Sequence, residues 1–217
     1  MKFFIDTANL NQIREINDLG ILDGVTTNPS LMAKEGIKGK EAVFQHYRTI
    51  CETVNGDVSA EVVSTDFDGI IREAQELAKI HPRIVVKVPM IKDGVKAIHW
   101  LTEHGIPTNC TLVFSAAQAI LAAKAGARYV SPFIGRIDDI NWDGLELIEQ
   151  IAHIYTVQGF ETQILAASIR SSLHIVKCAE AGADVCTCPY DTLIGLFKHP
   201  LTDIGLAKFL EDAKKWQ

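Results

Sequence analysis

The sequence has no long apolar run. Nothing in its 217 residues approaches the roughly 20 apolar residues that a membrane-crossing helix needs. The opening Met1-Lys2-Phe3-Phe4-Ile5-Asp6 is too short an apolar segment for a signal peptide. Positive charge is not in excess either: 21 basic residues against 27 acidic ones leave a net charge of -6. Nucleic-acid and membrane-surface binders present a basic face, so neither partner is expected. A phosphorylated small molecule stays open, because two well-placed arginines suffice to hold one phosphate. Paired cysteines are missing. Cys51, Cys110, Cys178, Cys186 and Cys188 are odd in number and spread along the chain, as reduced buried thiols of a cytoplasmic protein are. Cys186-Thr187-Cys188, read as adjacent inward and outward strand positions, has no second Cys or His cluster beside it. The seven histidines show no ligand spacing, so no metal site is expected.

What remains is an ordinary globular composition, 47% apolar and 22% charged, in a length that suits one domain over 1–217. Short β-rich runs alternate with amphipathic stretches. Strands are expected at 2–6, 24–27, 59–63, 84–88, 107–112, 128–133, 163–167 and 184–187. Each is short and mostly apolar, as parallel strands covered on both sides should be. Helical patterns lie between them, for instance at 70–80, 115–124 and 145–157. The count fits an α/β chain folded as a single (β/α)₈ TIM barrel. Ala125-Gly126-Ala127 and Ala181-Gly182-Ala183 precede the sixth and eighth strands, with glycine where a helix end needs positive φ. An open doubly wound sheet is the alternative, but Thr7-Ala8-Asn9 stands where its Gly-rich loop would follow the first strand. Beyond Pro200 an extra C-terminal helix is expected over 202–216, with Leu206, Phe209, Leu210 and Ala213 on one face. It is surplus to the barrel and packs either on it or on a neighbouring subunit.

In such a barrel, chemistry sits at the C-terminal ends of the strands and in the loops that follow. The unusual polar residues collect there. Asp6 ends the first strand, and the second runs into Thr26-Thr27-Asn28-Pro29-Ser30. The third carries Glu61, the fourth Lys87, the fifth Asn109 and Thr111. The sixth carries Ser131 and Phe133, with Arg136 shortly after, and the seventh leads to Ser168 and Arg170. Alternation sets Asn109 with Thr111, and Ser131 with Phe133, on the same side.

Lys87 interrupts the apolar run Ile84-Val85-Val86-Lys87-Val88-Pro89. Burial disfavours an ammonium ion, so one reading is a neutral amine that attacks a carbonyl and forms an imine. The other is a lysine paired with a buried carboxylate, or one that reaches solvent at the strand end. Glu61 serves either reading, as a general acid/base through a water or as the partner of Lys87. Asp6 belongs to the polar opening or caps the helix starting near Asn9. Arg136 and Arg170 are surface charges or phosphate ligands; Arg170 stands where barrel enzymes hold phosphate together with amides of the next helix.

The stretches Phe4-Ile5-Asp6-Thr7-Ala8, Gly24-Val25-Thr26-Thr27-Asn28-Pro29-Ser30, Ala60-Glu61-Val62, Val86-Lys87-Val88-Pro89, Thr108-Asn109-Cys110-Thr111, Ser131-Pro132-Phe133-Ile134-Gly135-Arg136 and Ala166-Ala167-Ser168-Ile169-Arg170 run through the chain in order. Together they resemble the transaldolase family, in its small bacterial-type branch that also includes fructose 6-phosphate aldolases. The resemblance implies a (β/α)₈ barrel and a cofactor-free enzyme of the non-oxidative pentose phosphate pathway. Its substrates would be sugar phosphates: sedoheptulose 7-phosphate plus glyceraldehyde 3-phosphate, exchanged with erythrose 4-phosphate plus fructose 6-phosphate. Lys87 would form the Schiff base, Glu61 and Thr111 would hold a proton-shuttling water, and Asp6 would take the proton of the C4 hydroxyl. Asn28, Asn109 and Ser131 would hold the hydroxyls of the three-carbon unit, with Thr26 on the same wall. Arg136, Ser168 and Arg170 would hold the phosphate. The family's aldolases carry glutamine where Glu61 stands and tyrosine where Phe133 stands, which sets this chain on the transferase side. The resemblance also implies a homo-oligomer, a pentamer or decamer, with the last helix packed on a neighbour. Cys110, Cys186 and Cys188 depart from the apolar residues expected there and touch no catalytic or phosphate position.

Overall fold

The computed structural model describes residues 1–216. Eight parallel strands close into a barrel in chain order, with the last paired to the first. They are β1 (Lys2–Asp6), β2 (Gly24–Thr26), β3 (Asp57–Glu61), β4 (Ile84–Pro89), β5 (Thr108–Val113), β6 (Tyr129–Pro132), β7 (Gln163–Ala166) and β8 (Val185–Cys188). One helix follows most strands: α1 (Leu10–Asp18) after β1, α4 (Phe67–Ala78) after β3, α5 (Lys92–Glu103) after β4, α6 (Ala116–Lys124) after β5 and α9 (Ser172–Glu180) after β7. Two follow β2, namely α2 (Pro29–Lys34) and α3 (Lys40–Thr53), and two follow β6, namely α7 (Ile134–Asp138) and α8 (Gly144–Gln158). After β8 come α10 (Tyr190–Ile194) and α11 (Pro200–Ala213). Among the described residues no helix is long and apolar enough to cross a membrane.

Local chemistry starts these helices where they start. Side chains of Asn9, Asn28, Asp66, Ser115, Asp143 and Ser171 each accept a backbone N–H in the first turn of the helix that follows. Asn9, not Asp6, caps α1, accepting from the amides of Asn11 at 3.0 Å and Gln12 at 3.1 Å. That removes the capping alternative for Asp6 and leaves its carboxylate to the barrel. At the other ends, Gly126 and Gly182 take φ of +90° and +92°, which no side-chain-bearing residue adopts cheaply.

Two apolar layers result. Outward strand residues such as Ile5, Val25, Val58, Val86 and Val130 pack against the helices. Inward residues Phe4, Val85, Tyr129, Leu165, Ala167 and Val185 form a plug inside the barrel. The Phe4 and Tyr129 rings meet edge to face with centroids 5.8 Å apart. β2 makes room for this plug with Gly24, where a Cβ would lie 2.5 Å from the Phe4 ring and 2.6 Å from the Asp57 carbonyl oxygen. Below the plug, the Tyr129 hydroxyl donates to Asp57 Oδ2 at 2.8 Å, and Arg128 pairs with the same oxygen at 3.1 Å.

Three boundaries differ from the sequence reading. β3 begins at Asp57 and ends at Glu61, two residues earlier than expected, because Asp57 is anchored to β6 by those two bonds. Val63 then lies outside the strand and 71% exposed. β8 extends through Cys188, and Cys186 and Cys188 both join the outer layer while Thr187 between them faces the barrel interior. Residues two apart share a face of a strand, so the two cysteines are not an inward and outward pair. The surplus helix runs from Pro200 to Ala213, not over 202–216, with Pro200 in the first turn and the His199 side chain as cap. None of its residues is buried, and Leu206, Phe209 and Leu210 are exposed. It does not pack on its own barrel.

Candidate active site

Above the plug the barrel wall turns polar. Lys87 sits there on β4, only 6% exposed. Pairing of β3 with β4 sets Glu61 directly opposite Lys87, and pairing of β4 with β5 sets Asn109 on its other side. Lys87 Nζ lies 3.1 Å from Glu61 Oε2 and donates to the Thr27 carbonyl oxygen at 3.0 Å. The ion-pair reading of Lys87 therefore describes the substrate-free protein. A lysine held this way is also a lysine whose proton has an acceptor within reach, so the pair and the nucleophile are two stages available to one arrangement. Glu61 itself borders a second space, a cavity of about 560 Å³ between α2, α3 and α4, which opens its carboxylate to solvent from the side.

Thr111 lies two residues beyond Asn109 on β5, is 1% exposed, and its hydroxyl finds no partner among the described residues. A buried hydroxyl left unpaired costs about 1–3 kcal/mol, so its bonding capacity is open to whatever enters the barrel. The strand kinks just after it. Leu112 takes φ of 60°, the left-handed region, and the register against β6 shifts between Cys110 and Val113. Such a conformation costs a leucine about 1–2 kcal/mol and is characteristic of working sites.

Asp6, at the end of β1, accepts from Thr26 Oγ1 at 2.7 Å. Burial pushes its carboxyl above the usual range, while the Lys87 charge and the Thr26 hydrogen bond pull it partly back. A second polar chain crosses the wall from β3 to β6. Ser131 Oγ donates to Asn109 Oδ1 at 2.8 Å, and Asn109 Nδ2 donates to Ser59 Oγ at 3.2 Å. Asn109 is thus held in one orientation, with one amide hydrogen left over.

Three groups in this cluster escaped the sequence reading. They are Ser59, the Thr27 carbonyl, and Thr187, whose Oγ1 is 2.6 Å from Thr26 Oγ1. Ser59 and Thr187 were detectable by parity alone, Ser59 being two residues before Glu61 and Thr187 two before the strand's end on the inward side.

The rim completes the opening. Phe133 follows β6, bridges to Ala167, leans on the inner plug and meets the Phe114 ring edge to face at 5.7 Å. Asn28 caps α2, its Oδ1 accepting from the Leu31 amide at 2.9 Å, which leaves its amide hydrogens for other partners. Ser168 takes φ of 60° just after β7. Arg170 then folds back over α7, where Gly135 admits it: a Cβ there would lie 2.7 Å from Arg170 Nε and 2.2 Å from the Ser168 carbonyl oxygen. Arg136 follows immediately in α7 and is exposed, so the two arginines share one side of the rim. Arg170 Nη2 is bound to Asp139 Oδ2 at 2.7 Å, a partner the sequence gave no reason to expect. At the start of α9, the Ser171 hydroxyl already occupies the His174 amide at 3.3 Å. Among the described residues no three His, Cys, Asp or Glu side chains group so as to hold a metal ion.

This arrangement has counterparts in known proteins. Residues 3–217 match the family model described as transaldolase/fructose-6-phosphate aldolase. A probable transaldolase of Cytophaga hutchinsonii is 68% identical over 215 residues, covering 99% of both chains. One from Parabacteroides distasonis is 66% identical over the same share of each. Another from Porphyromonas gingivalis is 63% identical, covering 99% of this chain and 98% of its own. A closed barrel, a lysine buried between carboxylates, and a full-length match of this strength agree: the chain belongs to the transaldolase/fructose 6-phosphate aldolase family and is an enzyme of the transaldolase kind.

Proposed function

We propose that the enzyme transfers a dihydroxyacetone unit between sugar phosphates through an imine on Lys87. Sedoheptulose 7-phosphate and glyceraldehyde 3-phosphate would exchange with erythrose 4-phosphate and fructose 6-phosphate. The observation that carries this reading is the buried Lys87 amine with Glu61 3.1 Å away and a second carboxylate, Asp6, close enough to feel its charge. Glu61 takes the proton that frees the amine lone pair, and the amine adds to the C2 carbonyl of the donor. Glu61 and the unpaired Thr111 hydroxyl, sharing a water, return a proton to the C2 oxygen, which leaves as water to give the imine. Asp6, its carboxyl raised and so a better base, removes the C4 hydroxyl proton. The O–H electron pair becomes the new carbonyl, the C3–C4 bond breaks, and its electrons pass into the protonated imine. The enamine left on Lys87 then attacks an acceptor aldehyde, and each step runs backwards. Asn28, Asn109 and Ser131 would bind the hydroxyls of the three-carbon unit beside Thr26. Arg136, Arg170 and Ser168 would hold the phosphate, which displaces Asp139 from Arg170. Five buried, unpaired cysteines suit the cytoplasm, where thiols stay reduced.

The family contains a second activity, release of free dihydroxyacetone, and Phe133 argues against it here. Hydrolysis needs a water held at the protonated enamine carbon. A phenyl ring offers that water no donor, whereas a phenol would. The ring is fixed at the mouth by Phe114 and the plug, so it shields the enamine until an aldehyde arrives.

Borohydride added with fructose 6-phosphate should leave a three-carbon adduct on Lys87, read by peptide mass spectrometry. Asp6→Asn should block carbon–carbon cleavage, so that the trapped adduct keeps all six carbons. An adduct elsewhere, or an active Lys87→Ala enzyme, ends the Schiff-base reading.

Arg136→Ala and Arg170→Ala should each lower kcat/KM for phosphorylated donors by roughly 10- to 100-fold, as loss of a charge-assisted bond of about 1.5–3 kcal/mol requires. Unphosphorylated donors should be little affected. Equal losses on both substrate types would make these arginines structural.

Wild-type enzyme given fructose 6-phosphate alone should release little dihydroxyacetone, with fast turnover once erythrose 4-phosphate is present. Phe133→Tyr should raise the hydrolytic share and lower transfer. Release matching transfer in the wild type would make aldolase the correct assignment.

The uncovered apolar side chains of α11 support a homo-oligomer in which a second copy covers them. Sedimentation should give an assembly larger than a dimer, a pentamer or decamer by the resemblance; a monomer at micromolar concentration removes this reading.

A further inference from the structure

Three oxygens line the inner wall across β8, β2 and β1. Thr187 Oγ1 lies 2.6 Å from Thr26 Oγ1, which lies 2.7 Å from Asp6 Oδ1. β1 runs between the other two strands, with Asp6 level with Thr26 and Phe4 level with Thr187. Both threonines are buried, at 2% and 4% exposure, so water does not complete their hydrogen bonds. Each hydroxyl owns one hydrogen. While Asp6 is a carboxylate it can only accept. Thr26 must then give its hydrogen to Asp6, and the short Thr26–Thr187 contact requires Thr187 to donate to Thr26. Once Asp6 carries a proton it becomes the donor to Thr26, and Thr26 needs an acceptor for its own hydrogen. Thr187 is that acceptor.

We propose that Thr187 is a positioning residue for Asp6, the end of a two-hydroxyl relay whose polarity reverses each time Asp6 takes up or returns a proton. The proposal rests on the reading of Asp6 as the base for carbon–carbon cleavage and adds to it a residue on β8. No bond to either threonine forms or breaks; both hydroxyls rotate. The proton leaves the donor's C4 oxygen for Asp6 and returns from Asp6 to the alkoxide formed when the acceptor adds. The charged groups that face Asp6 are Lys87 from β4 and, through its ion pair, Glu61 from β3. The strands on either side, β2 and β8, offer it only the hydroxyls of Thr26 and Thr187. The relay therefore lets Asp6 change protonation state without stranding a buried hydrogen. Without Thr187 the protonated state leaves the Thr26 hydrogen unpaired, which makes Asp6 resist the proton it must accept.

Thr187→Val keeps the side-chain shape and removes the hydroxyl. It should lower kcat for transfer about 10-fold, the effect of one buried hydrogen left unpaired, with KM little changed. The acid limb of the pH–rate profile should move to lower pH. Adduct trapped at Lys87 with a ketose donor should form as in the wild type, because imine formation does not use Asp6. Thr187→Ser, which restores the hydroxyl, should recover both kcat and the acid limb. Wild-type kcat and acid limb in Thr187→Val would overturn the relay. So would parallel loss of adduct and transfer, or a Thr187→Ser enzyme no better than Thr187→Val, since either marks a packing role. Absence of any Lys87 adduct in the wild type would instead remove the Schiff-base reading, and the relay with it.

Discussion

Everything in the mouth of this barrel depends on keeping one amine inside it. Removing an ammonium and a carboxylate from water costs several kcal/mol per ion, and only close geometry with further hydrogen bonds repays that. Here the 3.1 Å contact to Glu61 and the Thr27 carbonyl at 3.0 Å supply it, and both follow from strand pairing. Glu61 is opposite Lys87 because β3 starts at Asp57, tied to Arg128 and Tyr129 on the floor. A slip of one residue would turn every inward side chain of that strand outward. The register of β3 is thus set at one end of the barrel and used at the other.

Below and above the lysine the same strands do different work. Phe4, Val85 and Val185 fill the lower interior, while Asp6, Lys87 and Thr187 occupy the next inward positions of the same strands. The rigid lower layer orients the polar upper one. The two carboxylates also stand in unlike surroundings. Asp6 is packed deep beside two hydroxyls, and burial raises its carboxyl. Glu61 touches Lys87 on one side and borders an open cavity on the other. Two acids with different access to solvent and to the amine are suited to different proton transfers.

What the sequence made legible was whatever broke a local rule. A lysine in Ile84–Pro89 or a glutamate after Ser59-Ala60 stands out because a buried strand tolerates neither without purpose. Thr187 broke no rule, since threonine is at home in strands, and only its bond to Thr26 gives it meaning. Val62 and Val63 prolonged an apolar run past Glu61 and drew the expected strand two residues too far; tertiary anchoring at Asp57 decided otherwise. The pairing of Arg170 with Asp139 joins loops after different strands, a relation that local pattern cannot carry. For α11 the amphipathic face was plain from spacing, but that nothing in its own barrel covers it was a fact of three dimensions.

The plug of Phe4, Tyr129 and Leu165 has one further consequence. A barrel stopped at its floor has a single doorway, and every molecule that visits Lys87 must use it. The aldehyde cut from the donor has to depart before another can take its place. Traffic through one doorway therefore imposes an order of events, product out before acceptor in, without any moving part to enforce it.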